Sequence, residues 1–108
     1  MNWIQIGKLD DIPRHGSRVI NTASGEIALF RSVDDQVFAL SNRCPHKGGP
    51  LAQGIVHGKR VTCPLHSWVI DLESGAAVAP DVGCAQRHEV RVAHDVLFIE
   101  AEAGVCKA

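Results

Sequence analysis

The sequence predicts an all-β domain of antiparallel strands, on three observations. Its apolar segments are short, they are rich in β-branched residues, and turn-forming residues separate them. No long segment places its apolar residues with the period of a helix. The predicted strands span 2–6, 17–21, 26–32, 36–40, 55–57, 60–63, 68–71, 86–93 and 96–101.

Turn signals place the connections between these strands, and proline or glycine marks several of them. The predicted turns span 10–13, 23–25, 34–35, 58–59 and 94–95.

A chain of 108 residues, 45% of them hydrophobic, has the size of one domain with one modest core. We therefore expect a single domain over residues 1–108.

Composition and charge argue against two classes of partner. The formal net charge is −1 and no basic stripe is present, which gives no support to nucleic-acid binding. No apolar run approaches the roughly 18–20 residues that a membrane span needs, so we expect no membrane insertion. The first residues lack the basic and apolar regions of a secretory signal, and we expect a cytoplasmic protein.

The middle of the chain, from about residue 41 to 83, is rich in glycine and proline and carries two metal-ligand motifs. The first is Cys44-Pro45-His46 and the second is Cys63-Pro64-Leu65-His66. Each motif supplies one thiolate and one imidazole. Such a mixed set suits zinc, and it also suits a [2Fe–2S] centre in which two histidines replace two cysteines. The predicted metal ligands are Cys44, His46, Cys63 and His66.

The residues around both motifs resemble the two cluster loops of the Rieske ferredoxin family. The first match runs over residues 44–51 (CPHKGGPL) and the second over 63–68 (CPLHSW). The resemblance implies a β-sandwich-like base that bears a small, loop-rich cluster-binding subdomain, here about residues 41–83. It also implies that the two cysteines bind one iron and the two histidines bind the other, and that Pro80 lies in a third loop that covers the cluster.

A narrower resemblance is to the small subunit of assimilatory NAD(P)H-dependent nitrite reductase. It is carried by residues 54–56 (GIV), 61–72 (VTCPLHSWVIDL) and 74–75 (SG). The resemblance implies an electron-transfer role in nitrate assimilation, beside a large flavin- and sirohaem-containing subunit that reduces nitrite to ammonia. The chain itself carries no Gly-rich dinucleotide fingerprint and no complete catalytic site, so catalysis belongs to the complex.

Two other functions stay open at this point. A free-standing ferredoxin of an aromatic-ring-hydroxylating dioxygenase, served by a ferredoxin reductase, shares the length and the ligand set. Free ferredoxins more often follow the second histidine with glycine, whereas here Ser67 follows His66. A structural zinc module is the other alternative, although zinc-finger pairs usually join Cys with Cys and His with His.

The loops also indicate where the redox potential falls. High-potential Rieske proteins carry an extra cysteine in each loop, and Gly49 and Leu65 stand at the matching positions here. The chain has no tyrosine to donate a hydrogen bond toward the cluster sulfurs. We therefore expect a midpoint at the low end of the family range of roughly −150 to +300 mV.

The remaining cysteines and histidines receive ordinary structural interpretations. Cys84 and Cys106 are expected to be unliganded thiols. His57 is expected on a strand surface, and Trp68 is expected to be a packing anchor. Solvated positions are expected for His15, His88 and His94.

Overall fold

The computed structural model describes residues 3–22, 25–42, 50–64, 67–78, 83 and 85–100, and this part of the chain forms ten strands and two 3₁₀ turns. The 3₁₀ turns are Leu9–Asp11 and Leu51–Gln53. The strands are β1 (Trp3–Lys8), β2 (Gly16–Thr22), β3 (Gly25–Arg31), β4 (Val37–Ser41), β5 (Ile55–His57), β6 (Arg60–Thr62), β7 (Val69–Asp71), β8 (Arg87–His88), β9 (Val90–Ala93) and β10 (Val96–Glu100).

The strands form three antiparallel sheets, in the orders β1-β10-β9, β2-β3-β4-β8 and β5-β6-β7. The all-β prediction is confirmed, and most predicted strand bounds agree within one or two residues. Residues 2, 23–24 and 101 of the predicted strands and turns lie outside the described residues. In the described part of the chain, no helix is long and apolar enough to cross a membrane.

Strand β3 explains why the four-stranded sheet lies between the other two. Ile27 and Leu29 point to a buried group that includes residues of β10, while Ala28 and Phe30 point to a second group that includes residues of β5, β6 and β7. Because side chains alternate across a strand, β3 is buried on both faces. Hydrophobic burial on each face therefore attaches one outer sheet.

The predicted strand 86–93 is divided in the structure, because the chain changes sheet at Glu89. Strand β8 pairs with β4, and β9 pairs with β10. The Glu100 amide donates to the Glu89 carbonyl at 2.9 Å, so the break keeps a hydrogen bond to the neighbouring strand. Both halves carry strand-like residues, which is why the local pattern predicted one continuous element.

The expectation that His88 is solvated was wrong. Its side chain is 3% exposed, and its Nδ1 atom lies 2.8 Å from the Glu100 carbonyl oxygen. His88 stands opposite the buried Ala39 in the β4–β8 pair, so its side chain shares that buried face. His15 and His94 are exposed, as predicted.

Two predicted turns, at residues 34–35 and 94–95, are confirmed by the structure. His94 and Asp95 have φ of 51° and 64°, the left-handed pair that a two-residue hairpin turn requires. The β3–β4 turn is held by Arg31, which is 6% exposed and donates to Asp35 at 2.8 Å. Arg31 also donates to the carbonyl of buried Ile12 at 2.9 Å, so it joins this turn to the residue that follows the first 3₁₀ turn.

Candidate metal centre

Of the four predicted metal ligands, Cys63 is the one that lies among the described residues. It follows β6 directly and is 1% exposed, with a free thiol packed in the buried group that contains Leu51 and Ile70. The other three predicted ligands, Cys44, His46 and His66, lie outside the described residues, as do Cys84, Cys106 and Pro80. Their roles therefore stay predictions.

The chain leaves the third sheet at Cys63 and returns to it at Trp68. The Cys63 amide donates to the Trp68 carbonyl at 2.7 Å, which closes this short loop at its base. Ser67 has φ of 58°, the left-handed region that favours glycine. Trp68 is partly buried against the same core group as Cys63, as its predicted packing role requires.

The segment that carries the first motif is held at both of its ends. Asn42 precedes it, and the Asn42 Oδ1 atom accepts a hydrogen bond from the Ala52 amide at 2.8 Å. Leu51 is fully buried, and the Ser17 hydroxyl donates to the Ala52 carbonyl. The two ends of the segment are therefore neighbours in the fold.

A third segment, between Val78 and Gly83, begins beside the second loop. The Val78 amide donates to the Val69 carbonyl at 2.8 Å, and the Ala77 amide donates to the Gly83 carbonyl at 2.8 Å. Nearby, Gly75 has φ of +79°, and a Cβ built on it would lie 2.3 Å from the Ala85 carbonyl oxygen. Only glycine fits at that position without strain.

The bases of the three segments meet at one end of the third sheet, around Cys63. Thr62 pairs with Val69, which connects the second and third bases. Gly54 approaches the Thr62 carbonyl so closely that an added Cβ would lie 2.2 Å from that oxygen, which brings the first base to the same place. Neither Gly54 nor Asn42 belongs to a ligand motif, so their contributions could not be identified from the sequence.

The donor chemistry at this position fits a [2Fe–2S] cluster. A buried cysteine without a disulfide partner supplies the thiolate sulfur by which proteins hold iron–sulfur clusters. Among the described residues no group of three or more His, Cys, Asp or Glu side chains gathers to hold a metal by itself. A complete ligand set at Cys63 therefore needs the residues of the two motifs that lie outside the described part.

His57 and Lys59 belong to the β5–β6 hairpin, whose turn lies at the end of the third sheet opposite Cys63. The Nε2 atom of exposed His57 lies 2.7 Å from the Thr62 hydroxyl oxygen, so His57 belongs to the strand surface, as predicted. Lys59, in the β5–β6 turn, contacts Glu73 at 3.0 Å, and the hydrogen bond from Lys59 to Glu73 raises the pKa of Lys59. Lys59 therefore stays charged through the neutral range.

The chain is similar in sequence to proteins of a known family. The family model of the Rieske [2Fe-2S] domain matches residues 2–95. The ferredoxin component of the naphthalene 1,2-dioxygenase/salicylate 5-hydroxylase systems of Ralstonia sp is 34% identical over 77 residues, 71% of this chain and 73% of that protein. The cholesterol 7-desaturase of Hemicentrotus pulcherrimus is 32% identical over 77 residues, 70% of this chain but 16% of that much longer protein.

Solved structures show the same fold. The ferredoxin of carbazole 1,9a-dioxygenase from Nocardioides aromaticivorans IC177 gives a TM-score of 0.84 at 24% identity, over 94% of this chain and 100% of that one. A candidate NADH-dependent nitrite reductase small subunit from Mycobacterium tuberculosis gives 0.82 at 22% identity, over 98% and 97% of the two chains. With the family match over most of its length, this chain belongs to the Rieske [2Fe-2S] domain family and is an electron-transfer protein with a Rieske-type [2Fe–2S] cluster.

Proposed function

We propose that Cys44 and Cys63 bind one iron of the cluster and that His46 and His66 bind the other, within a cluster-binding unit of about residues 41–83 in a single domain over 1–108. The observation that supports this assignment is the buried, unpaired Cys63 at the joint base of three segments. When bound there, the cluster would supply one-electron redox chemistry. The chain's own residues hold the cluster and keep water from the Cys63 sulfur.

We propose that this electron transfer serves assimilatory NAD(P)H-dependent nitrite reduction, with this chain as the small subunit beside a flavin- and sirohaem-containing large subunit. The observation that carries the proposal is the presence of serine, rather than glycine, at position 67, where φ is 58°. A left-handed backbone favours glycine there, and glycine is what free ferredoxins more often have after the second histidine. This chain instead has the Ser67-Trp68 pair that resembles nitrite reductase small subunits. We also propose a cytoplasmic location, because cysteine thiols stay reduced in that compartment and remain available as cluster ligands.

The second candidate is a ferredoxin that receives electrons from a reductase and passes them to an aromatic-ring-hydroxylating dioxygenase. The specific observation in its favour is the Ralstonia relative, which is a dioxygenase ferredoxin component and is covered over 73% of its length. Both candidates use the same cluster in the same fold. The partner separates them, because one role needs a stable complex and the other an exchanging carrier.

A pull-down from the source organism grown on nitrate tests the two roles. The tagged wild-type protein should retain a large subunit with flavin and sirohaem absorbance, and the eluate should consume nitrite with NAD(P)H. A Cys63→Ser variant is the matched control, because it should fail to relay electrons whether or not it still binds. Recovery of the wild-type protein alone, with its cluster intact, would contradict the nitrite reductase role and favour the ferredoxin role.

A further inference from the structure

Asn42 joins three parts of the chain at the start of the first ligand segment. Its side chain is buried, since the residue is 8% exposed. The amide Nδ2 donates to Glu26 Oε1 at 3.1 Å, and Oδ1 accepts from the Ala52 amide at 2.8 Å. The Asn42 backbone amide also donates to the Glu26 carbonyl at 3.0 Å. Both ends of this one planar amide are therefore used.

Ala52, at the other end of the segment, is held from a second direction. Its carbonyl accepts a hydrogen bond from the Ser17 hydroxyl on β2. The preceding Leu51 is fully buried in the core group that contains Cys63. The position of Ala52 is thus fixed relative to the middle sheet and to the cysteine that begins the second loop.

We propose that Asn42 is a positioning residue for the cluster, which sets the distance between the two ends of the segment that carries Cys44 and His46. The inference rests on the proposed ligand roles of those two residues. Asn42 stands two residues before Cys44, so a shift of Asn42 moves the start of the ligand segment. Its bond to Ala52 links that start to the buried end, and through it to the core around Cys63.

Asparagine suits this position because it carries one donor and one acceptor in a short, rigid group. Aspartate would lose the donor toward Glu26 and set two carboxylates side by side, and their repulsion would turn the side chain away from the Ala52 amide. Alanine would remove both bonds. Combining Asn42→Asp with Glu26→Gln exchanges the roles, because the introduced glutamine amide can donate to the introduced aspartate.

The test is a cycle of three variants: Asn42→Asp, Glu26→Gln and the double variant. Each is loaded with cluster, and the release of the cluster to a chelator is followed by the loss of visible absorbance. We expect Asn42→Asp to release the cluster at least about tenfold faster. Glu26→Gln and the double variant should both stay within about threefold of the wild-type rate, because a donor–acceptor pair is present in each.

Ser32→Ala is the matched structural control. Ser32 is 2% exposed, and its hydroxyl accepts a hydrogen bond from the Gln36 amide at 3.1 Å in the turn at the opposite end of the β3–β4 hairpin. This variant should lower the unfolding midpoint of the apo-protein yet release the cluster at the wild-type rate. If Asn42→Asp releases cluster no faster than Ser32→Ala, or if Glu26→Gln fails to rescue it, the proposal is wrong.

Two further variants keep the proposal testable if Asn42→Asp does not fold or if Cys44 is not a cluster ligand. Ser17→Ala removes the other tie on Ala52 and should accelerate release by about threefold, which keeps the proposal testable if Asn42→Asp does not fold. Wild-type release from Ser17→Ala would then count against it. Cys44→Ser should hold no [2Fe–2S] cluster; a retained cluster would overturn the ligand assignment and the role of Asn42 together, whereas a failed rescue alone overturns only the role of Asn42.

Discussion

Replacing Gly54 by alanine should disturb the cluster site through a backbone clash. Gly54 has φ of −78° and ψ of 179°, an extended conformation that any residue adopts. A Cβ at this position would lie 2.2 Å from the Thr62 carbonyl oxygen and 3.0 Å from Val61 Cγ2. Since the conformation is permitted, the expected cost comes from space alone.

The size of the effect follows from the same distances. Real Cβ atoms essentially never come within 3.0 Å of such a neighbour, so the contact must lengthen from 2.2 Å by 0.8 Å or more. Val61 is fully buried, and Thr62 is followed directly by Cys63, so the strain reaches the predicted ligand. Overpacking of this kind typically costs about 1–3 kcal/mol. In a domain of this size we expect Tm to fall by roughly 4–8 °C for each kcal/mol.

The assay compares Gly54→Ala with Gly58→Ala. Gly58 has φ of +59°, and a Cβ there would meet nothing within 4 Å, so alanine costs about 1–2 kcal/mol through backbone strain alone. Both variants should lose thermal stability. Only Gly54→Ala should also alter the visible and EPR spectra of the cluster. Wild-type stability of Gly54→Ala, or equal spectral changes in both variants, would show that the contact between Gly54 and Thr62 does not constrain the site.

Three further predictions concern the sheets that support the site. Arg31→Met should cost about 1–3 kcal/mol in urea unfolding, because the buried Ile12 carbonyl loses its donor; a loss below about 0.5 kcal/mol would contradict it. Hydrogen bonds from Arg31 lower the pKa of Asp35, so the stability difference between wild type and Asp35→Asn should be constant above about pH 5 and shrink below about pH 4; a difference that grows on acidification would show the opposite sign. Asp95→Gly should raise stability by about 0.5–1 kcal/mol, because Asp95 has φ of 64° in a tight hairpin turn; a lower Tm would count against that turn geometry.

Local pattern was enough to predict most of the strands and the turns between them. The segment 55–57 was predicted with the bounds that β5 has in the structure, and the turn at His94-Asp95 has the positive φ values of a two-residue hairpin. Both features depend on residues that are close in sequence. The two ligand motifs were recognisable for the same reason, because each is only a few residues long.

Features that depend on distant pairing were not predictable in this way. The division of 86–93 into β8 and β9 is decided by β4 and β10, which the local sequence does not encode. The burial of His88 follows from its pairing opposite Ala39. The hydrogen bonds of Asn42 to Glu26 and Ala52 join residues that are distant in sequence, so no local pattern indicated them.

The presence of a Rieske-type cluster is decided by the metal and acid-labile sulfide content of the purified wild-type protein, prepared without oxygen and compared with Cys63→Ser. A Rieske-type cluster predicts about two iron and two sulfide per wild-type chain. Cys63→Ser should hold neither. Zinc without sulfide in the wild-type protein would exclude the cluster, and a full cluster in Cys63→Ser would exclude Cys63 as a ligand.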